Sequence, residues 1–180
     1  MSVDSYIEDL IEREGGFVDH PDDRGGPTNW GITQATARAY GYHGRMADMP
    51  RGVAKQIYLE RYWRQPRFDE VEHLSAKLAE ELLDTGVNMG PAVAVKFLQR
   101  ALNVLNQQGK IYPDITADGV LGPMTLASLR AFLGARGQDG ETVLLRMLNA
   151  QQSVRYIELA EARASQEAFQ FGWQLHRVGG

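Results

Sequence analysis

The chain has 180 residues, a formal net charge of −4 and no cysteine. Its length suits one domain, or one domain with a small appendage, and 43% hydrophobic with 23% charged residues excludes a disordered or fibrous chain. The missing thiols exclude disulfides, thiolate zinc sites, iron–sulfur clusters and cysteine-nucleophile hydrolases, and the net charge argues against general nucleic-acid binding.

Nearly every periodic segment predicts a helix. Val3, Tyr6, Ile7, Leu10 and Ile11 recur at helical spacing until Gly15-Gly16 stops the run. A glycine- and proline-punctuated stretch follows to about Thr33, and Gln34 to Ala39 predicts a short helix closed by Gly41. Pro50 to Trp63 begins with proline, which suits a first helical turn. Leu74 to Val87 repeats Leu74, Leu78, Leu82 and Leu83, and Pro91 to Leu105 carries Val95, Leu98, Leu102 and Leu105 on one face. Pro123 to Leu133, Gly140 to about Ala162 and Ala168 to Arg177 complete the set. No alternation demands a sheet, although residues 17–32 and 110–117 leave room for a short hairpin. The expected class is all-α. A soft boundary at Gly90-Pro91 divides residues 1–90 from 91–180. No linker composition marks it, so the halves are expected to pack together. Residues 1–92 carry 10 Lys+Arg against 16 Asp+Glu, and residues 93–180 carry 9 against 7. The second half is thus mildly basic, which is weak evidence for an anionic polymer as partner.

The most informative side chain is Glu14. It follows Ile7, Leu10 and Ile11 at the next position of their stripe, which predicts that it points toward the packed side of the helix. It also occupies the last turn, where the macrodipole is negative. Burial and dipole together would favour the protonated acid, the form a glycosidase needs to donate a proton to a leaving oxygen. The bland alternative is a glutamate satisfied by Arg13 or Arg24. The glycine-rich loop after it allows a return over the helix end that brings Asp23 and Thr28 toward Glu14, supplying a second carboxylate and a water-holding hydroxyl. Trp30 offers an aromatic face of the kind that packs on sugar rings.

Glu14-Gly15-Gly16, Pro21, Asp23, Gly25-Gly26, Thr28 and Gly31-Ile32-Thr33 resemble the signature of glycoside hydrolase family 108, bacterial and phage N-acetylmuramidases of the wider lysozyme superfamily. The resemblance maps the family's catalytic glutamate onto Glu14. The superfamily's looser spacing, an Asp nine residues on and then a Thr, maps onto Asp23 and Thr28. Tyr58, Tyr62 and Trp63 match the aromatic end of the following helix, and Asp84 to Pro91, with Asn88, resembles a second cleft-lining segment. From about residue 93 the chain is similar to the type 3 peptidoglycan-binding domain, through Phe97 to Asn103, Asp118 to Thr125 and Phe171-Gly172-Trp173.

The resemblance implies a lysozyme-like catalytic unit at 1–90 and a helical wall-binding unit at 91–180. It implies hydrolysis of the β-1,4 bond between N-acetylmuramic acid and N-acetylglucosamine, with Glu14, Asp23 and Thr28 catalytic and Trp30, Tyr62 and Asn88 binding substrate. No cofactor is expected. The expected partner is bacterial peptidoglycan, without nucleic acid or stable membrane insertion, and the expected state is a monomer. The acidic start lacks a signal peptide's basic and apolar regions, so synthesis in the cytoplasm and release through a holin or another export route are expected. The alternative is a non-catalytic wall-binding or secretion-activating protein. An amidase or endopeptidase is disfavoured by the lack of cysteine and of zinc-ligand spacing among His20, His43, His73 and His176. His20, near the proposed cleft, is read as a surface-loop residue. Asp114, Thr116, Asp118 and Gly119 have calcium-loop spacing, but Thr125 stands where the bidentate glutamate belongs, so a turn is expected.

Overall fold

The computed structural model describes residues 2–20 and 25–178. It is an all-α molecule with eight α-helices and one two-stranded sheet among the described residues. By compactness the chain divides into residues 1–65 and 66–180.

The first unit opens with α1 (Val3–Glu14). Ser2 caps it by accepting from the Ser5 N–H, satisfying a donor that the first turn leaves unpaired. Ile7, Leu10 and Ile11 are buried along one face. The chain then forms a hairpin, β1 (Thr28–Asn29) and β2 (Ile32–Thr33), paired antiparallel with Thr28 opposite Thr33 and Asn29 opposite Ile32. The allowance for a hairpin within 17–32 is met here, though β2 extends to Thr33. No strand forms at 110–117. Thr33 also caps α2 (Gln34–Ala39) by accepting from the Thr36 N–H.

The segment predicted as one helix from Pro50 to Trp63 divides into α3 (Arg51–Leu59) and a π-helical turn from Glu60 to Arg64. Ala54, Ile57, Tyr58 and Leu59 are its buried face. Charge joins α3 to α1. Arg51 donates from Nε and Nη2 to Glu8 at 3.0 and 2.8 Å, and Lys55 lies 3.2 Å from both Asp4 and Glu8. Arg51 first, then Lys55, holds the Glu8 carboxyl below the usual carboxylate range.

The second unit comprises α4 (Phe68–Glu72), α5 (Ala76–Met89), α6 (Pro91–Leu105), α7 (Pro123–Ala162) and α8 (Glu167–His176). Its core joins Leu78, Leu82 and Leu83 of α5, Leu98 and Leu102 of α6, and Leu129, Leu144 and Leu148 of α7. Periodicity gave no sign of α4. The two helices expected after Pro123 form one 40-residue run broken at Gly137, whose φ of 56° and ψ of −139° suit only glycine. Between α6 and α7 the loop is clamped from α6. Asn106 donates to Asp114 at 2.6 Å, Asn103 bonds Ile115 in both directions, and buried Gln99 donates to Asp118, Val120 and Thr125. The expected turn is thus a hydrogen-bonded scaffold. Among the described residues no helix is long and apolar enough to cross a membrane, and no group of three or more metal-binding side chains converges.

Candidate active site

Glu14 is the last residue of α1, as the sequence predicts, but it is exposed. This corrects the expectation of a sheltered carboxyl. The apolar stripe gives the direction of the Cβ, yet the helix stops there: Gly15 turns away at φ 80° and its N–H returns to the Ile11 carbonyl. Only the stem of Glu14 is covered. A Cβ placed on Gly31 would lie 2.7 Å from Glu14 Cβ, 2.8 Å from its Cγ and 2.6 Å from the Tyr58 hydroxyl. The hairpin turn therefore rests on the side-chain stem and leaves the carboxylate in solvent.

That turn is short and strained. Trp30 and Gly31 have φ of 54° and 76°, the pair of positive values that defines a type I′ hairpin turn. Gly31 suits this conformation, and the close approach leaves no room for a side chain. A tryptophan at positive φ is uncommon and needs anchors. Its indole Nε1 donates to the Met49 carbonyl at 3.0 Å, and the Arg51 guanidinium stands 5.7 Å from the ring centre. The Tyr58 hydroxyl donates to the Trp30 carbonyl at 2.9 Å. Burial first, and the Glu14 charge second, push the Tyr58 phenol upward. Tyr62, within the π turn, stacks on Tyr58 at 6.0 Å with Arg61 5.2 Å from its ring centre.

Thr28 is half-buried in β1. Its backbone exchanges both hydrogen bonds with Val18, at 2.9 and 2.8 Å, so the chain leaving Glu14 becomes a third line beside the hairpin. Strand alternation puts Thr28 on one face and Pro27 and Asn29 on the other. A groove of about 370 Å³ lies on the Pro27 side, lined also by Phe17, Gln34, Arg38 and Met46. Glu14 is not among the residues that line it. Asn29 is buried and donates to the Met46 carbonyl at 2.8 Å.

The structure thus gathers Glu14, Trp30 and Tyr58 around one turn, with Thr28 in its first strand and Tyr62 stacked behind. Asp23 lies outside the described residues. Asn88 belongs to the second unit, near the end of α5, where it is half-buried and donates to the Asp84 carbonyl at 2.8 Å. It is not the helix cap, which is Gly90. His20 is exposed. The sequence places Tyr58 only at the aromatic end of a helix and Gly31 only within the signature. The signal available was a Gly-containing pair between short β-prone residues, the pattern of a two-residue hairpin.

Comparison with known proteins then bears on the chain. The family model described as glycosyl hydrolase 108 matches residues 7–90, which include Glu14 and the hairpin. Residues 7–90 thus resemble glycosyl hydrolase family 108. The model described as a predicted peptidoglycan domain matches residues 93–178. The order is therefore a family 108 segment followed by a peptidoglycan-binding segment, and the family 108 match runs past Gln65 through α5. The solved structure of Brucella abortus SagA is similar at 29% identity and a TM-score of 0.63, covering 96% of this chain and 87% of that one. No curated protein matches.

A carboxyl with a raised pKa stands on α5, still within the family 108 match. In the second unit, burial first and Asp84 next raise Glu81 to about 7. Its Oε1 has no hydrogen-bond partner, and neither has Oε1 of fully buried Gln152, whose amide donates to Asp84 and Thr85.

Proposed function

We propose that this protein is a muramidase, cleaving the β-1,4 bond between N-acetylmuramic acid and N-acetylglucosamine in bacterial peptidoglycan. The observation that carries this reading is the placement of Glu14 at a helix end, its stem fastened under a hairpin turn and its carboxyl open to a bound chain, within the family 108 segment. Glu14 serves as general acid for the leaving glycosidic oxygen. Because the fold leaves this carboxyl wet, the glycan itself displaces the water around it on binding. Asp23 stabilises positive charge on the sugar or orients water. Thr28, fixed by two backbone bonds to Val18, positions that water. Peptidoglycan affinity is assigned to the segment matched at 93–178.

Mass spectrometry of digested peptidoglycan tests the reading. New reducing muramic acid ends are expected. Free stem peptides would make the protein an amidase, and binding without products would make it a wall-binding protein alone.

A further inference from the structure

We propose that Tyr58 is a positioning residue for Glu14: its hydroxyl fastens the Trp30–Gly31 turn across the acid's stem and so holds the carboxyl in one orientation. The inference rests on the reading of Glu14 as the acid. A buried tyrosine in α3 has an ordinary explanation as core, and Phe would fill the same space. What the ring does not explain is the destination of the hydroxyl proton. It goes to the Trp30 carbonyl, 28 residues away, which belongs to the central peptide of the turn.

That peptide needs a lock. Trp30 at φ 54° sits in a conformation that is strained for a non-glycine residue. An unstrained alternative exists. A type II turn returns the first central residue to negative φ and keeps the second positive. Gly31 accepts a positive φ in both. The type II form splays the strands and so shifts the Trp30 carbonyl from the place it holds. The Tyr58 bond is made to the carbonyl as the observed turn places it. The Trp30 indole N–H on Met49 holds the side chain but not this peptide.

Glu14 feels the difference because nothing intervenes. The Tyr58 hydroxyl and the Glu14 Cβ and Cγ all lie within 2.8 Å of the point where a Gly31 Cβ would stand. Loosening the turn uncovers the stem and gives an otherwise exposed side chain further rotamers. Displacement of a reacting group by about 1 Å can cost on the order of 10²-fold in rate.

The test is Tyr58→Phe, which keeps the ring and its stacking on Tyr62. Gly31→Ala serves as a second variant that forces the turn off the stem while Tyr58 remains. Kinetics on a soluble peptidoglycan oligosaccharide are measured below the melting range of every variant, beside Glu14→Gln. Expected for Tyr58→Phe is a fall in kcat of about tenfold or more with KM within about twofold, the pattern of a misplaced acid and not of lost binding. Amide exchange at the Asn29–Ile32 pair should quicken about fivefold, the scale of one net hydrogen bond. Glu14 side-chain couplings should change from one rotamer to an average. Wild-type kcat in Tyr58→Phe while Glu14→Gln is inactive would overturn the proposal. So would KM and kcat changing together in step with lost stability. If the wild-type protein cleaves no glycan, the muramidase reading falls separately. Exchange and couplings then decide the pinning, and unchanged values in Tyr58→Phe would end it.

Discussion

At the scale of single residues, the proposed acid is Glu14, whose side chain is exposed. Glu14→Gln keeps the shape and removes the transferable proton. Its turnover should fall by about 10²–10⁴-fold, the usual contribution of general acid catalysis, with melting temperature and wall binding unchanged. Near wild-type turnover in the folded variant would remove the assignment. Thr28 favours a water nucleophile over a carboxylate one, so the released sugar should have inverted configuration. Thr28→Ala and Asp23→Ala should both impair turnover without trapping a covalent intermediate. NMR of the freshly released anomer decides, since a β product would make Asp23 the nucleophile instead. Glu81 presents a different residue-scale problem, one of stability. Burial first and Asp84 next favour its protonated form, with Glu80 also raising it, Thr85 and Asn149 opposing through hydrogen bonds, and Tyr156 of α7 nearby. Its folded value of about 7 exceeds the ordinary carboxylate value of 4.5, so the folded state binds the extra proton. The sign follows: this stabilisation is fully present below the unfolded value and is lost as pH rises through about 7. Across that window the loss is on the order of 3 kcal/mol. Glu81→Gln should flatten the decline and raise stability at pH 8 relative to wild type, read by urea unfolding at several pH values. An unaltered pH dependence would show that Glu81 ionises without cost.

At the scale of elements, the informative features are the places where regular structure stops. α1 ends at Glu14, α3 passes into a π turn beneath Tyr62, and α7 breaks at Gly137. Helical periodicity located the flanking segments because it depends on residues three and four apart. It missed the π turn, which inserts a residue without altering the run of aromatic side chains, and it missed α4, which is only 5 residues long. The break at Gly137 lies in a region of φ and ψ that a side chain resists. Gly137→Ala should therefore destabilise the protein by about 1–3 kcal/mol, seen as a lower denaturant midpoint. Gly134→Ala, in the helical stretch before it, should be neutral or stabilising. Equal effects at both positions would mean that the kink conformation is not required.

At the scale of the whole molecule, two segments of different character are joined in one chain. The family 108 match ends at residue 90 and the peptidoglycan domain match begins at 93, while compactness divides the chain after Gln65. The second half is the more basic, and Arg130, Arg136 and Arg146 are exposed on α7. If that segment supplies wall affinity, changing these three to Gln should weaken pelleting with purified peptidoglycan more than it slows cleavage of a short soluble oligosaccharide. Equal losses in both assays would assign the arginines to the fold or to the reaction site.

By itself the sequence determined the all-α class, most helix positions, the family, and the location of Glu14 at a helix end. These follow from local periodicity, capping residues and a dense motif, all of which act over a few neighbouring positions. Only the tertiary structure decided what each side chain meets. Periodicity aimed Glu14 toward the packed side, but whether anything stood opposite depended on a hairpin turn formed 17 residues later. That Met49 takes the Trp30 indole N–H and Arg51 approaches its ring is set by the tertiary structure alone. Nothing in the local pattern around Glu81 marks it out from Glu80, and the partners that bear on its ionisation include Asn149, 68 residues away. Burial and hydrogen-bond partnership are set by these distant segments, and a pattern of 3.6-residue period carries no information about them.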